Sequence, residues 1–138
     1  TQAATAAMAG PPGTYAEIVA RADALIPVLR SRAEETARLR RLPPATLADL
    51  VDAGFARMLQ PARYGGLEAQ FMAVVDILPR IGRGCGATAW CLAQYMGHTY
   101  MVAQWPIEAQ DEVWANPGSL LAGILIPSLG RARQVDGG

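Results

Sequence analysis

Residues 84–107 contain no charged side chain, and this stretch constrains the fold more than any other part of the chain. An uncharged segment of this length is typical either of a membrane span or of a helix buried inside a domain. Gln94, His98 and Gln104 interrupt it, so it lacks the nearly continuous apolar character that a bilayer span requires. The sequence therefore predicts no membrane segment and a central helix over about 88–104, apolar almost all round.

The composition is that of one globular domain without net charge. The chain has 138 residues, of which 51% are hydrophobic and 17% are charged. That is enough apolar material for a core, and too much for a disordered chain. Binding to nucleic acid or to an anionic membrane needs a basic surplus on one face, and the formal net charge is zero. Neither partner is expected.

The chain has two cysteines and one histidine. Cys85 and Cys91 are six residues apart along one predicted helix and its entry, so they point in different directions and are not expected to bridge each other. A Cys/His metal site needs more ligands than these residues supply, so no metal is expected. The sequence shows no signal-peptide pattern, and reduced cysteines are typical of a cytoplasmic protein, which is the location we expect.

The chain divides into three parts. Residues 1–13 are small residues and prolines without a hydrophobic period, which predicts a flexible tail. Residues 14–118 have helical periodicity and predict a helical domain. Residues 119–138 contain a strongly apolar run at 120–126 and end in a turn sequence, which predicts the start of an incomplete β domain. We therefore expect the chain to be a fragment of a longer protein.

Prolines, glycines and capping residues mark the ends of five expected helices. Thr14 and Glu17 have the spacing of a capping box at the start of the first helix, and Pro27 predicts a kink or a break within it. A second helix should begin at Pro44 and stop at Gly54.

The remaining helices follow from hydrophobic periodicity. The third is expected over about 67–81, with four large apolar residues on its buried side: Phe71, Val74, Val75 and Leu78. The fourth is the uncharged helix, and Pro106 predicts the start of a short fifth helix.

Two short motifs resemble catalytic signatures without meeting their requirements. Residues 82–87 nearly match the dinucleotide-binding pattern G-x-G-x-x-A, which functions only between a strand and a helix. Since the preceding segment has a helical period, these glycines predict a tight helix–helix connection instead. Ser128 lacks the first glycine of the hydrolase pattern G-x-S-x-G, and a chain with a single histidine and no acid near it offers no convincing triad.

His98 is the strongest candidate for chemistry, because it is the only histidine and lies in the middle of the uncharged helix. Two interpretations remain open from the residues alone: a core histidine satisfied by a neighbouring carbonyl, or a functional group. Trp90 lies two turns earlier and about 80° round the helix, so the two side chains could border one pocket. For Trp90 the alternative is a plain core residue.

Several segments together resemble the acyl-CoA dehydrogenase superfamily. In residues 42–66 a helix ends at Ala-Gly and is followed by P-x-x-Y-G-G, which resembles the N-terminal region of that superfamily. Residues 81–90 resemble a helix junction of one branch, the reduced-flavin-dependent aromatic monooxygenases that are the oxygenase components of two-component hydroxylases. Residues 109–114 and 122–138, with the turn P-S-x-G and the end V-D-G-G, resemble that branch's entry into its β domain.

The fold class implied by this resemblance is mainly α: an N-terminal helical domain of the acyl-CoA dehydrogenase fold, followed by the first strands of a truncated β domain. The implied function is hydroxylation of a small phenolic substrate with O2 and reduced FMN or FAD. A flavin reductase would supply the reduced flavin, and the complete protein would be a homo-oligomer, usually a tetramer. Most of the flavin site would lie outside this chain, so the chain alone is expected to be inactive.

The resemblance also implies roles for three residues. Trp90 and His98 would line the substrate pocket, with His98 as the catalytic residue that hydrogen-bonds the phenolic hydroxyl. Ser128, in the P-S-x-G turn, would reach the substrate or the flavin.

Two alternatives stay open. Ordinary acyl-CoA dehydrogenases tend to carry T-E-P-x-x-G-S-D where residues 125–130 read LIPSLG, and the missing Thr, Glu and Asp count against a thioester substrate. A dehydrogenase-type flavin oxidoreductase, with a structural His98, is nevertheless one alternative. The other is a truncated, non-catalytic helical module that pairs with a partner.

Overall fold

The computed structural model describes residues 13–116, 118–123, 130, 131 and 133–136. Within them the chain forms six α-helices and two short 3-10 helices. The α-helices are α1 (Tyr15–Ser31), α2 (Ala33–Leu39), α3 (Pro44–Asp52), α4 (Ala73–Gly84), α5 (Gly86–Val102) and α6 (Ile107–Val113), and the 3-10 helices are Phe55–Arg57 and Ala62–Tyr64. The helical part of the predicted fold class is confirmed. In the described ranges, no helix has the length and apolar character needed to cross a membrane.

The first helix begins at the predicted capping box and passes through its proline. The Thr14 side chain accepts from the Glu17 N–H, and the Glu17 carboxylate accepts from the Thr14 N–H at 2.6 Å. The helix does not break at Pro27 but continues to Ser31. Ala22 and Leu29, on either side of the proline, are buried in the same core, so tertiary packing stabilises the helix on both sides of Pro27.

The second predicted helix is confirmed at both ends. Pro44 occupies the first position of α3, where a missing N–H removes no helical hydrogen bond. Gly54 follows the helix with φ 85°, a left-handed conformation that stops it.

The third helix begins at Ala73, about six residues later than predicted. Leu67 donates to the Arg57 carbonyl at 3.2 Å and Ala69 to the Met58 carbonyl at 2.9 Å, so this segment pairs with the preceding loop instead of coiling. The predicted apolar side is also wrong in part. Phe71 and Val75 are exposed, whereas the buried residues of α4 are Ala73, Ile77, Ile81 and Gly84.

The uncharged helix lies at the predicted place but is buried on one side only. Leu92, Met96 and Thr99 of α5 face the interior. Trp90 is 69% exposed and Met101 is 51% exposed, so the expectation of a helix buried all round is wrong. The residues of 82–87 form the predicted helix–helix connection, with Cys85 extended between α4 and α5.

The core is formed where α1, α4 and α5 pack together over the Phe55–Arg57 turn. Its large, fully buried side chains come from all of these elements: Leu29, Leu50, Phe55, Met58, Ile77, Ile81, Leu92 and Met96. A second, smaller cluster of Tyr64, Val102 and Trp114 lies where α6 meets the rest of the domain.

The predicted strand over 120–126 is not observed where the structure describes it. Residues 120–123 have no regular secondary structure, and 124–126 lie outside the described residues. A strand needs a neighbour to complete its backbone hydrogen bonds, and the described part of the chain places none beside this segment. Leu121 packs instead against the cluster of Tyr64, Val102 and Trp114.

Candidate functional site

A cavity of about 330 Å³ lies beside His98, between the end of α5, α6 and the segment that follows. Its walls come from three parts of the chain: His98, Met101, Val102 and Trp105 from α5 and the turn after it, Val113 from α6, and residues 120–123. The side chains of the walls are apolar apart from the imidazole and the indole N–H of Trp105. The cavity thus has the character of a small-molecule site, with mostly apolar walls and polar groups that can orient a ligand.

The imidazole of His98 has a defined tautomer. Its Nδ1 lies 2.7 Å from the main-chain carbonyl oxygen of Gln94, one turn earlier in α5. A carbonyl oxygen can only accept, so Nδ1 carries the proton, and Nε2 is an acceptor whenever it carries none. The interpretation of His98 as a core residue predicts a hydrogen bond to a neighbouring carbonyl. It explains the contact of Nδ1 and leaves Nε2 without a role.

Gly123 lies directly against the other ring nitrogen. A Cβ placed on Gly123 would be 3.6 Å from His98 Nε2 and 3.7 Å from Cδ2. A side chain at this position would therefore stand in ordinary van der Waals contact with the ring beside Nε2.

Four polar contacts, made by two residues of α6, hold this helix against the cavity. The Tyr64 hydroxyl donates to Asp111 Oδ1 at 2.5 Å, and Arg63 forms an ion pair with the same carboxylate at 3.2 Å. The buried Gln110 amide donates to the carbonyls of Ala103 at 3.1 Å and Trp105 at 2.7 Å. Through these contacts Val113 and Trp105 are placed in the cavity wall.

This arrangement could not be predicted from the sequence, where Tyr64 is part of P-x-x-Y-G-G and Asp111 lies in the separate segment 109–114. No local signal links two residues that are 47 positions apart.

Tyr64→Phe should change how stability depends on alkaline pH. Burial, and then the hydrogen bond to Asp111, raise the pKa of the Tyr64 hydroxyl above its ordinary value. A raised folded pKa means that the contribution is fully present below the unfolded pKa of about 10 and is lost as pH rises through the folded pKa. The wild type should therefore be more stable than Tyr64→Phe at neutral pH, and the gap should close above about pH 10.

Urea unfolding of both proteins over this pH range measures the effect. Other tyrosines, including Tyr15 and Tyr95, titrate in both proteins and cancel in the difference. Parallel curves for the two proteins would show that the Tyr64–Asp111 contact does not stabilise the fold.

Of the three predicted site residues, the structure describes Trp90 and His98, and it does not place them in one cavity. Trp90 lies on the exposed side of α5 and is not part of the wall of the His98 cavity. Ser128 lies outside the described residues. Of the three, His98 alone has its surroundings described in this cavity, and the roles of Trp90 and Ser128 stay predictions.

The described cavity fits an aromatic ring better than a flavin. A flavin needs hydrogen-bond donors for its polar ring edge and a cation or amide nest for its phosphate. The described walls offer one imidazole and no cation. These walls therefore do not by themselves make a flavin site.

The other reactive groups give no competing site in the described ranges. No three of the His, Cys, Asp and Glu side chains there are grouped so that they could hold a metal ion. Both cysteines are free, and burial raises the pKa of the Cys91 thiol, which disfavours a nucleophilic thiolate.

A larger cavity of about 480 Å³ lies at the start of α1, lined in part by Tyr15, Leu67 and Met72. The Tyr15 hydroxyl is already hydrogen-bonded to Asp76, and the other polar side chain of this lining is the exposed amide of Gln70, so this cavity contains no ring nitrogen comparable to that of His98. We therefore place the candidate site at His98 in spite of its smaller volume.

Comparison with known proteins gives a consistent result. Residues 19–117 match the family model described as acyl-CoA dehydrogenase, N-terminal domain. The chain is 36% identical to the oxygenase subunit HsaA of a flavin-dependent monooxygenase from Rhodococcus jostii (strain RHA1), over 86% of this chain and 31% of that protein. It is 29% identical to the oxygenase component of p-hydroxyphenylacetate 3-hydroxylase from Acinetobacter baumannii, over 83% of this chain and 27% of that protein.

A solved structure is similar as well. The crystal structure of the HsaA monooxygenase from M. tuberculosis matches with a TM-score of 0.73 and 34% sequence identity, over 78% of this chain and 30% of that chain. The chain thus spans about a third or less of the length of the relatives it matches.

Proposed function

We propose that this chain, which belongs to the acyl-CoA dehydrogenase N-terminal domain family, forms the substrate-facing part of a flavin-dependent monooxygenase that hydroxylates phenols. The observation that carries the proposal is the acceptor Nε2 of His98, which faces an apolar cavity of about 330 Å³. The named relatives support it, since one is the oxygenase subunit of a flavin-dependent monooxygenase and the other is the oxygenase component of a hydroxylase of a phenol.

The chain's own residues would bind and orient the phenol. Its ring would lie between the apolar walls, and its hydroxyl would donate to His98 Nε2. Because the Gln94 carbonyl keeps the proton on Nδ1, Nε2 remains an acceptor, and the hydrogen bond raises the electron density of the ring. When bound, the reduced flavin supplies the activated oxygen that an electron-rich ring can attack.

The apolar walls have a second task, which is to keep water from the reacting ring. Val102 and Val113 provide part of this cover in the described residues, and Met101 is half exposed, so the rest would come from other parts of the complete protein. A dry cavity strengthens the hydrogen bond to Nε2, and it suppresses side reactions that waste the oxidant.

The rest of the proposal concerns the complete protein. Reduced FMN or FAD would be its cofactor, a separate flavin reductase its supplier, and a homotetramer its assembly. Trp90 would line the substrate pocket, and Ser128 would reach the substrate or the flavin. Both sites would be completed by other parts of the protein. A cytoplasmic location is consistent with the free Cys85 and Cys91.

A turnover assay of the complete enzyme tests the proposal. With a flavin reductase, NADH and a simple phenol, we expect oxygen uptake and one new ring hydroxyl per productive turnover. The dehydrogenase alternative predicts instead that an acyl-CoA reduces the flavin anaerobically. Reduction by acyl-CoA without any phenol hydroxylation would overturn the proposal.

A further inference from the structure

Gln110 is the buried residue of α6. All seven residues of this helix are described, and Gln110 is 5% exposed whereas the others are half-buried or exposed. A helix ordinarily packs on its neighbours through apolar side chains. Here the side chain that enters the interior is an amide, so its hydrogen bonds decide what it contributes to the fold.

The amide of Gln110 joins α6 to the end of α5. Its Nε2 donates to the carbonyl of Ala103 at 3.1 Å and to the carbonyl of Trp105 at 2.7 Å, so both of its hydrogens are used. Ala103 caps α5, and carbonyls at the end of a helix have no partner within that helix. One side chain thus fixes the turn between the two helices by two directional bonds, which an apolar side chain of the same size could not do.

This turn carries two parts of the cavity wall. Trp105 accepts one of the bonds and lines the cavity together with His98. Val113 also lines the cavity and lies three residues after Gln110, which puts these two side chains on the same face of α6. A shift of the turn would therefore move both wall residues relative to the imidazole.

We infer that Gln110 is a positioning residue for the hydroxylation, which acts on the bound phenol through Trp105 and Val113. The inference rests on the proposed function and adds to it a residue that is not part of the described cavity wall. A displacement of about 1 Å in groups that orient a reacting molecule can lower the rate by about 10²-fold. Loss of the two hydrogen bonds should therefore impair hydroxylation by more than the loss of stability explains.

The test removes the amide from the complete enzyme and then restores a donor. Gln110→Met keeps a side chain of similar length without a hydrogen to donate, and it should raise KM for a simple phenol and lower the product-to-peroxide ratio, each by about 10-fold. Gln110→Lys supplies hydrogens again to carbonyls at a helix end and should recover part of both values. Gln104→Met makes the same replacement at an exposed glutamine of the same turn and should keep the wild-type values.

A stability control separates positioning from a general loss of order. Leu29 is buried in the core on α1 and is no part of the cavity wall, so Leu29→Val should lower the melting temperature and leave KM and the product-to-peroxide ratio unchanged. All proteins are assayed below their melting temperatures. The inference is overturned if Leu29→Val changes the two values as much as Gln110→Met does, or if Gln110→Lys and Gln110→Met give equal values.

The outcome also separates this inference from the proposed function. If the wild type hydroxylates phenols and Gln110→Met keeps the wild-type ratio of product to peroxide, the proposed function stands and the positioning role is wrong. If the wild type oxidises reduced flavin in the presence of phenols and forms peroxide only, both are wrong.

Discussion

His98→Ala should leave the oxidation of reduced flavin running while the hydroxylated product falls and hydrogen peroxide rises. The variant removes the Nε2 acceptor that raises the electron density of the phenol ring. The activated oxygen is then released as hydrogen peroxide instead of being transferred to the ring. One general acid–base contact is typically worth a factor of about 10² to 10⁴, so the loss of product should be of that size. Product, peroxide and oxygen uptake measured in the same reaction give the coupling directly.

Two further variants show whether the acceptor itself is what matters. His98→Gln keeps an acceptor oxygen on a chain of similar reach and should recover part of the coupling. Cys91→Ala removes a half-buried side chain of the same helix that is no part of the cavity wall, so it should alter stability more than coupling. If His98→Ala lowers the melting temperature and keeps the product-to-peroxide ratio, His98 is a packing residue.

The helix boundaries that depend on local backbone chemistry could be predicted from the sequence. The capping box at Thr14, the proline start at Pro44 and the glycine stop at Gly54 were all confirmed. Each is decided within one turn of chain by groups whose backbone hydrogen bonds or φ angles are restricted. The helix junction at 82–87 could be predicted for the same reason.

Boundaries that depend on distant contacts could not be predicted. The late start of α4 follows from hydrogen bonds between Leu67, Ala69 and the loop before them, and periodicity does not record such bonds. The exposed side of α5 could not be predicted, because its residues are uncharged. Hydrophobic character alone does not show which side of a helix is covered by the rest of the domain. Both features are decided by contacts between segments that are far apart in the sequence or outside one helix.

One residue of the candidate site could be predicted from the sequence, but the residues around it could not. His98 could be singled out as a lone imidazole in an uncharged helix. Its tautomer follows from a carbonyl one turn away, which is within the reach of sequence reasoning. The cavity itself depends on residues 120–123 folding back against α5 and on the Tyr64–Asp111 contact, and neither has a local signal.

Gly66→Ala should have the largest effect on stability of any glycine substitution in the P-x-x-Y-G-G loop. A Cβ on Gly66 would overlap the main-chain carbonyl of Gln60. That carbonyl accepts from the Glu68 N–H at 3.0 Å, and the buried Gln60 side chain donates to the Tyr64 carbonyl at 2.8 Å, so the backbone cannot move without breaking both bonds. Overpacking with lost hydrogen bonds should cost about 4 kcal/mol or more, which places the change among the exceptional ones.

Chemical unfolding followed by circular dichroism measures this cost, and two other glycines calibrate it. Gly65 has φ 85°, so Gly65→Ala should cost about 1–2 kcal/mol for the left-handed conformation. Gly97 is exposed within α5 and a Cβ there meets nothing within 4 Å, so Gly97→Ala should be stabilising by about 0.5–1 kcal/mol. The order of the three variants is the decisive result, because it separates close backbone approach from backbone conformation and from helix propensity. A Gly66→Ala protein whose stability lies within about 1 kcal/mol of the wild type would mean that the loop can open at Gln60 without losing stability. The position of Tyr64 near the His98 cavity would then depend on its contact with Asp111 alone.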